Sequence, residues 1–245
     1  MDFLEIPPEI MDELKIMKDS FMELIIDSPG EFIEMGFEMS PLFNSCKKIW
    51  TSMNELKFKA FLKFMYSNST FKESDRQKMY GYLENPKNCI LISEIIDSAI
   101  NSKSLRCSAI LGYYAGKILS EQKPVEYKDH LVINGLRVMF DEDLEIFCGV
   151  YEYYLKYPDN YKHNDCSFAR ISDMMDNFDN PSFTQSDAEI SFEKLKGVQL
   201  VGYDMGGTNS VGNAWGSFLF NKYSDYFYEI VKESNQLSIP TNLKT

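Results

Sequence analysis

A chain of 245 residues, 44% hydrophobic and 14% aromatic, is long and apolar enough to bury a core, which excludes intrinsic disorder. Its formal charge is −12, and no stretch approaches the roughly 18 uncharged apolar residues of a membrane span. The longest candidate, Cys89 to Ile100, is broken by Glu94 and Asp97, and the acidic start MDFLEIPPEIMDEL lacks the features of a signal peptide, so the expectation is a cytoplasmic protein without a membrane segment.

The apolar pattern is helical almost throughout. From Glu9 to Ile26, the residues Ile10, Leu14, Met17, Phe21, Leu24 and Ile25 form one stripe, ended by Pro29-Gly30. A second helix is expected over Phe43–Tyr66, with Trp50, Met53, Leu56, Phe61 and Phe64 apolar and lysines between them. Ser74 and Asp75 lead a short helix to Asn85, and Pro86 opens another whose buried face spans Ile90 to Ile100. The helix Leu105–Leu119 carries Gly112 and Gly116 four residues apart, a spacing that predicts a close helix crossing. After Asp141, Leu144, Phe147, Cys148, Tyr151 and Leu155 define a helix closed by Pro158. A short helix is expected over Phe168–Phe178, then a turn at Asp179-Asn180-Pro181. Thr184 with Asp187 three positions on is a variant of the capping box, opening a helix that runs to Gly197. An extended run (Val198–Tyr203), a glycine-rich loop (Gly206–Gly212), a second extended run (Ala214–Phe220) and a helix (Lys222–Lys232) follow.

The five cysteines (Cys46, Cys89, Cys107, Cys148, Cys166) are isolated and odd in number, and read as small buried hydrophobes. The two histidines, His130 and His163, have no regular partners. His163 and Cys166 fall in a loop-like stretch, YKHNDCSF, that supplies too few ligands for zinc, so no metal or cofactor is expected.

The order of helices, strand, glycine loop, strand and helix resembles a winged helix. AEISFEKLKGVQLVGY is similar to the third helix and first wing strand of that superfamily. FEKLKGVQLV is similar to its LxxLxxxGLI hinge, although the glycine, Gly197, stands two residues early, and Asn213 to Ile230 resembles the closing strand and helix. The resemblance implies a mainly α fold: a helical domain over 1–138, a winged-helix-like module with a small antiparallel β-hairpin over 139–235, and a tail over 236–245. The whole layout, with LENPKNCILISEIIDSAI, resembles prophage and abortive-infection proteins of the Abi-alpha type; no catalytic residue comes with that likeness.

One string points elsewhere. Asp204-Met205-Gly206-Gly207-Thr208-Asn209 resembles the phosphate loop DxGGT of sugar kinases of the hexokinase and ROK type. There the loop opens an ATPase domain, whereas here too little chain follows for the remaining kinase segments. The preferred reading is a hairpin loop. No Gly-x-Ser-x-Gly occurs. Asp173, Asp176 and Asp179 share one helix face and read as a solvated acidic surface, and Asp141-Glu142-Asp143 as charges favouring a helix N-terminus.

Charge separates the function classes. Residues 1–44 carry 2 basic against 11 acidic residues, 45–128 carry 14 against 8, and 141–235 carry 7 against 17. A DNA-reading winged helix needs a basic third helix and wing, whereas this module stands at −10. The expected function is therefore non-enzymatic: a protein–protein interaction or regulatory factor of a prophage or phage-defence setting, with DNA disfavoured for the C-terminal module. Two alternatives stand behind it. One is a nucleic-acid-associated regulator using Lys57, Lys59, Lys63, Lys72, Arg76 and Lys78, although those lysines are expected to face the acidic segments and Phe58, Phe61 and Phe64 to be core. The other is a nucleotide-dependent enzyme using residues 204–209.

Overall fold

The computed structural model describes residues 52–67, 81–156, 183–208 and 214–236, the short strands at 162–163 and 166–169, and the helical positions Ile16, Asp19 and Lys78. Among them helices dominate: α1 (Ser52–Ser67), α2 (Pro86–Asn101), α3 (Leu105–Glu121), α4 (Tyr127–Val138), α5 (Asp141–Lys156), α6 (Gln185–Gly197) and α7 (Lys222–Gln236). The strands are β1 (Lys162–His163), β2 (Cys166–Ala169), β3 (Gly202–Thr208) and β4 (Ala214–Phe220). No helix among the described residues is long and apolar enough to cross a membrane.

The chain divides into two compact units, one of residues 1–101 and 111–125, the other of 102–110 and 126–245. In the first, α1 buries Phe58, Ala60, Phe61, Leu62, Phe64 and Met65. Its partner α2 buries Leu91, Ile92, Ile95, Ile96 and Ala99, while Ile90, expected on the buried face, is exposed. Pro86 stands at the first position of α2, where its missing N–H costs nothing, and Asn85 ahead of it accepts from the Lys87 amide at 3.0 Å. The glycine pair of α3 marks the expected close crossing. A Cβ on Gly112 would lie 2.0 Å from the Phe61 carbonyl oxygen, and one on Gly116 would lie 2.6 Å from that of Met65. The two backbones approach closely at these glycines, where dispersion between close-packed atoms takes the place of interdigitated side chains.

The second unit packs α5, α6 and α7 with the sheet around aromatic rings. Phe147 lies 5.2 Å from Phe227 and 6.4 Å from Phe192, and Tyr151 lies 4.6 Å from Tyr228 and 5.0 Å from Phe220. Tyr154, not Leu155, completes the buried face of α5, and Leu155 is exposed. The helix α4, for which the sequence reading gave no element, belongs here. It begins with a capping box of Glu126 and Asp129, and its Gly135 lies under Leu200 and Phe227. The space beside Gly135 is filled by Leu200 and Phe227, so α4 packs with the elements that follow it.

The sheet has four strands in the order β1-β2-β4-β3, each pair antiparallel. Two expectations change. Residues 162–163 and 166–169 are strands, where a loop and the start of a helix were expected, because Ser167, Phe168 and Ala169 pair with Phe220, Leu219 and Phe218. The extended run begins at Gly202, not Val198, because α6 ends in a Schellman motif. Leu200 N–H bonds to Leu195 O, Gln199 N–H to Lys196 O, and Gln199 takes the left-handed conformation at φ 63°. The first expected helix (Glu9–Ile26) lies outside the described residues apart from Ile16 and Asp19, and so do the remainder of Phe168–Phe178, Cys46 and the tail after Gln236.

The glycines give a direct test. Gly112→Ala and Gly116→Ala each force the α1–α3 crossing apart and should lower stability by about 1–3 kcal/mol. Gly197→Ala, where an added Cβ meets nothing within 4 Å, should leave stability unchanged or raise it by up to about 1 kcal/mol. Urea unfolding of the three variants checks this; equal melting of all three would mean that the crossing tolerates side chains.

Candidate functional site

The residues proposed for chemistry or binding from the sequence stand in different environments where the structure describes them. On α1, Lys57, Lys59 and Lys63 are only part-exposed, and the aromatics between them, Phe58, Phe61 and Phe64, are buried, so they offer no stacking surface for bases. Lys78 is exposed, while Lys72 and Arg76 lie outside the described residues, as do Asp173, Asp176 and Asp179. Among the described residues no group of three or more His, Cys, Asp or Glu could hold a metal ion.

The kinase-like string is not the loop expected of it. Gly206, Gly207 and Thr208 belong to β3. Asp204 pairs with Ser217, Gly206 with Trp215 and Thr208 with Ala214, and the register shifts between Gly206 and Thr208. A phosphate cradle needs consecutive amides turned toward one point. Here those residues lie in an antiparallel ladder, with one extra residue at a bulge. The connection 209–213 lies outside the described residues.

Two of the thiols, Cys107 and Cys148, are equally unsuited to nucleophilic work. Burial pushes Cys107 up to about 12, offset in part by the Ser104 hydroxyl, and burial likewise pushes Cys148 up to about 12. Both stay protonated at neutral pH. Cys107 donates to the Met139 carbonyl at 3.5 Å.

A different constellation stands out at the junction of α5 and α6. The acidic string Asp141-Glu142-Asp143 does open α5, but its members have separate roles. Asp141 accepts from the Ser104 hydroxyl, whose oxygen also accepts the Cys107 amide at the start of α3. Asp143, 4% exposed, turns inward. Its carboxylate accepts the Phe140 amide at 2.8 Å, the Ser191 hydroxyl at 2.5 Å, and the Lys194 ammonium at 2.9 and 2.7 Å through its two oxygens. The Lys194 ammonium also lies 4.7 Å from the centre of the ring of the exposed Phe140. Burial alone would raise the Asp143 pKa; Lys194, the Phe140 amide and Ser191 outweigh it and hold the carboxyl below its ordinary range. The acidic string was a usable signal for a helix start. Lys194, 51 residues downstream, carried no mark of its role.

The remaining cation of α6 is committed as well. Lys196 bonds Glu193 at 2.8 and 3.0 Å on the exposed side of the helix. The N-terminal capping box expected from the sequence is present, with Asp187 N–H to Thr184 Oγ1 at 3.2 Å and Thr184 N–H to Asp187 Oδ2 at 2.8 Å. The exposed residues of α6 include Gln185, Ser186, Asp187, Glu189, Ile190 and Glu193, and its lysines are already paired.

Compared with protein-family models, with the curated proteins and with the solved structures, the chain matches none.

The Asp143 cluster predicts a pH signature. Its stabilisation is complete above the ordinary carboxylate range and is lost as pH falls through the lowered folded-state pKa. Lys194→Met leaves a buried carboxylate with two neutral donors. With Lys194 about one-third exposed, the cost at neutral pH should be about 1–3 kcal/mol. The penalty should shrink below about pH 4, where the unfolded-state carboxyl also protonates. Urea midpoints of parent and variant at neutral and acid pH check this; a penalty that grows on acidification would contradict the assignment.

Proposed function

We propose that the chain is a non-enzymatic protein-binding or regulatory factor, in which residues 139–235 serve as a winged-helix-like module directed at a protein and not at DNA. The succession α6, β3, β4, α7, with β3 and β4 antiparallel, supports the module. Its setting in prophage or phage-defence biology is part of the proposal and rests on the layout resemblance alone.

The observation that carries the reading is the fate of the α6 lysines. In a DNA-reading winged helix the corresponding helix lies in the major groove, and its cations meet phosphates or base edges. Here Lys194 is spent on a buried carboxylate and Lys196 on Glu193, leaving Asp187 and Glu189 facing outward. Freeing Lys194 for a phosphate would strand the Asp143 charge in the interior, which is costly. The burial of Phe58, Phe61 and Phe64 weighs against nucleic-acid binding through the basic middle segment, and the ladder position of Gly206 and Thr208 weighs against a nucleotide-dependent enzyme.

A gel-shift series with the full chain and duplex DNA should show no complex at physiological salt. A native co-purification, with protein and nucleic acid both identified, should return protein. Binding to duplex DNA that persists at physiological salt would overturn the proposal. Binding only at low salt that falls steeply as salt rises would instead favour the basic segment 45–128 as an outward nucleic-acid surface.

A further inference from the structure

We infer that the outward face of α6, with the neighbouring Phe140 corner, is the docking surface, and that its occupant is a cationic amphipathic helix of a partner protein. The inference rests on the reading of the chain as a protein-binding factor. Two large apolar side chains stand exposed here, Ile190 at 55% and Phe140 at 46%. They are linked through Lys194, one turn after Ile190 on the same flank, whose ammonium lies across the Phe140 ring. Single exposed apolar residues are ordinary, but two flanking one fixed lysine form a rigid anchor. The lysine is held by Asp143 beneath it, so the Phe140 ring and the α6 backbone are fixed before a partner arrives.

The charge around this anchor chooses the occupant. Asp187, Glu189 and Glu193 lie along the exposed side of α6, and Glu142 is exposed two residues after Phe140. Lys194 is cancelled by Asp143, Lys196 by Glu193, and the Asp187 carboxylate is held by the Thr184 cap, which leaves Glu189 and Glu142 without a basic ion-pair partner among the described residues. An acidic or neutral apolar partner would meet uncompensated carboxylates. A helix with an apolar stripe for Ile190 and Phe140 and lysine or arginine on its flanks satisfies both features in one binding mode.

The test uses the full-length protein and a fluorescent synthetic leucine–lysine amphipathic helix, with a leucine–glutamate counterpart and duplex DNA as alternative probes. The cationic helix should bind, more weakly as salt rises, and the two anionic probes should not. Ile190→Ser and Glu189→Lys should each weaken binding by roughly tenfold, whereas Glu229→Lys, an equal charge change on the exposed side of α7, should change it less than about twofold. Circular dichroism of each variant verifies that these exposed substitutions leave the fold intact. Equal losses from Glu189→Lys and Glu229→Lys, or no loss from Ile190→Ser, would reduce the interaction to diffuse charge and overturn the surface. Absence of peptide binding while DNA stays inert would also overturn the surface yet leave the protein-binding reading standing, whereas binding of the DNA probe would overturn both.

Discussion

A carboxylate turned inward at the first turn of a helix has to be answered from every side, and Asp143 is answered by an amide, a hydroxyl and an ammonium. Those donors come from two stretches of chain far apart in sequence. The bond therefore fixes how the start of α5 meets the middle of α6, and the aromatic cluster formed by Phe147, Tyr151, Phe192 and Phe220 packs behind that junction. The helix dipole favours an acid at this position, but its whole contribution is smaller than the desolvation that burial imposes. Once Lys194 is in place the arrangement is closed, and the surface character of α6 follows from what has been used up inside.

The same economy recurs at other helix ends. Ser104 caps α3 while donating to Asp141, and Ser224 near the start of α7 donates to the Leu200 carbonyl, which follows the Schellman turn of α6. Tyr151 donates to Asp225 in the first turn of α7, and Tyr228 donates to Glu152 at 3.0 Å, so α5 and α7 exchange hydrogen bonds beside their tilted and edge-to-face rings. Burial raises both tyrosines, Tyr228 to about 12, which keeps these hydroxyls donors throughout the neutral range.

Helix-rich architecture, the start of α2 at Pro86, the Thr184–Asp187 cap and the Gly112–Gly116 crossing were all legible, because each depends on local chemistry or on a spacing within one helix. The elements that were missed depend on distant partners. Helix α4 is short, and it is held by Gly135 beneath Leu200. Strand β2 is a strand because β4 lies beside it. The role of Lys194 was hidden for the same reason, since an exposed-looking lysine in a charged helix gives no sign that its counter-ion is buried elsewhere. Conversely, Asp204 to Thr208 looked informative because a short string can match a phosphate loop, while the ladder that claims it is not written in those residues.

That ladder has a consequence for how the molecule meets others of its kind in a crowded solution. β3 is the outer strand of its sheet, and an outer strand leaves alternate amides and carbonyls open to pairing with another chain. The shift between Gly206 and Thr208 breaks that regular row at the C-terminal end of β3. A bulged edge twists away from flat pairing, and glycine adds no β-branched side chain to stabilise an incoming strand. The two glycines that imitate a nucleotide loop thus make the last residues of β3 a poor template for an incoming strand, through an absent side chain and an irregular backbone.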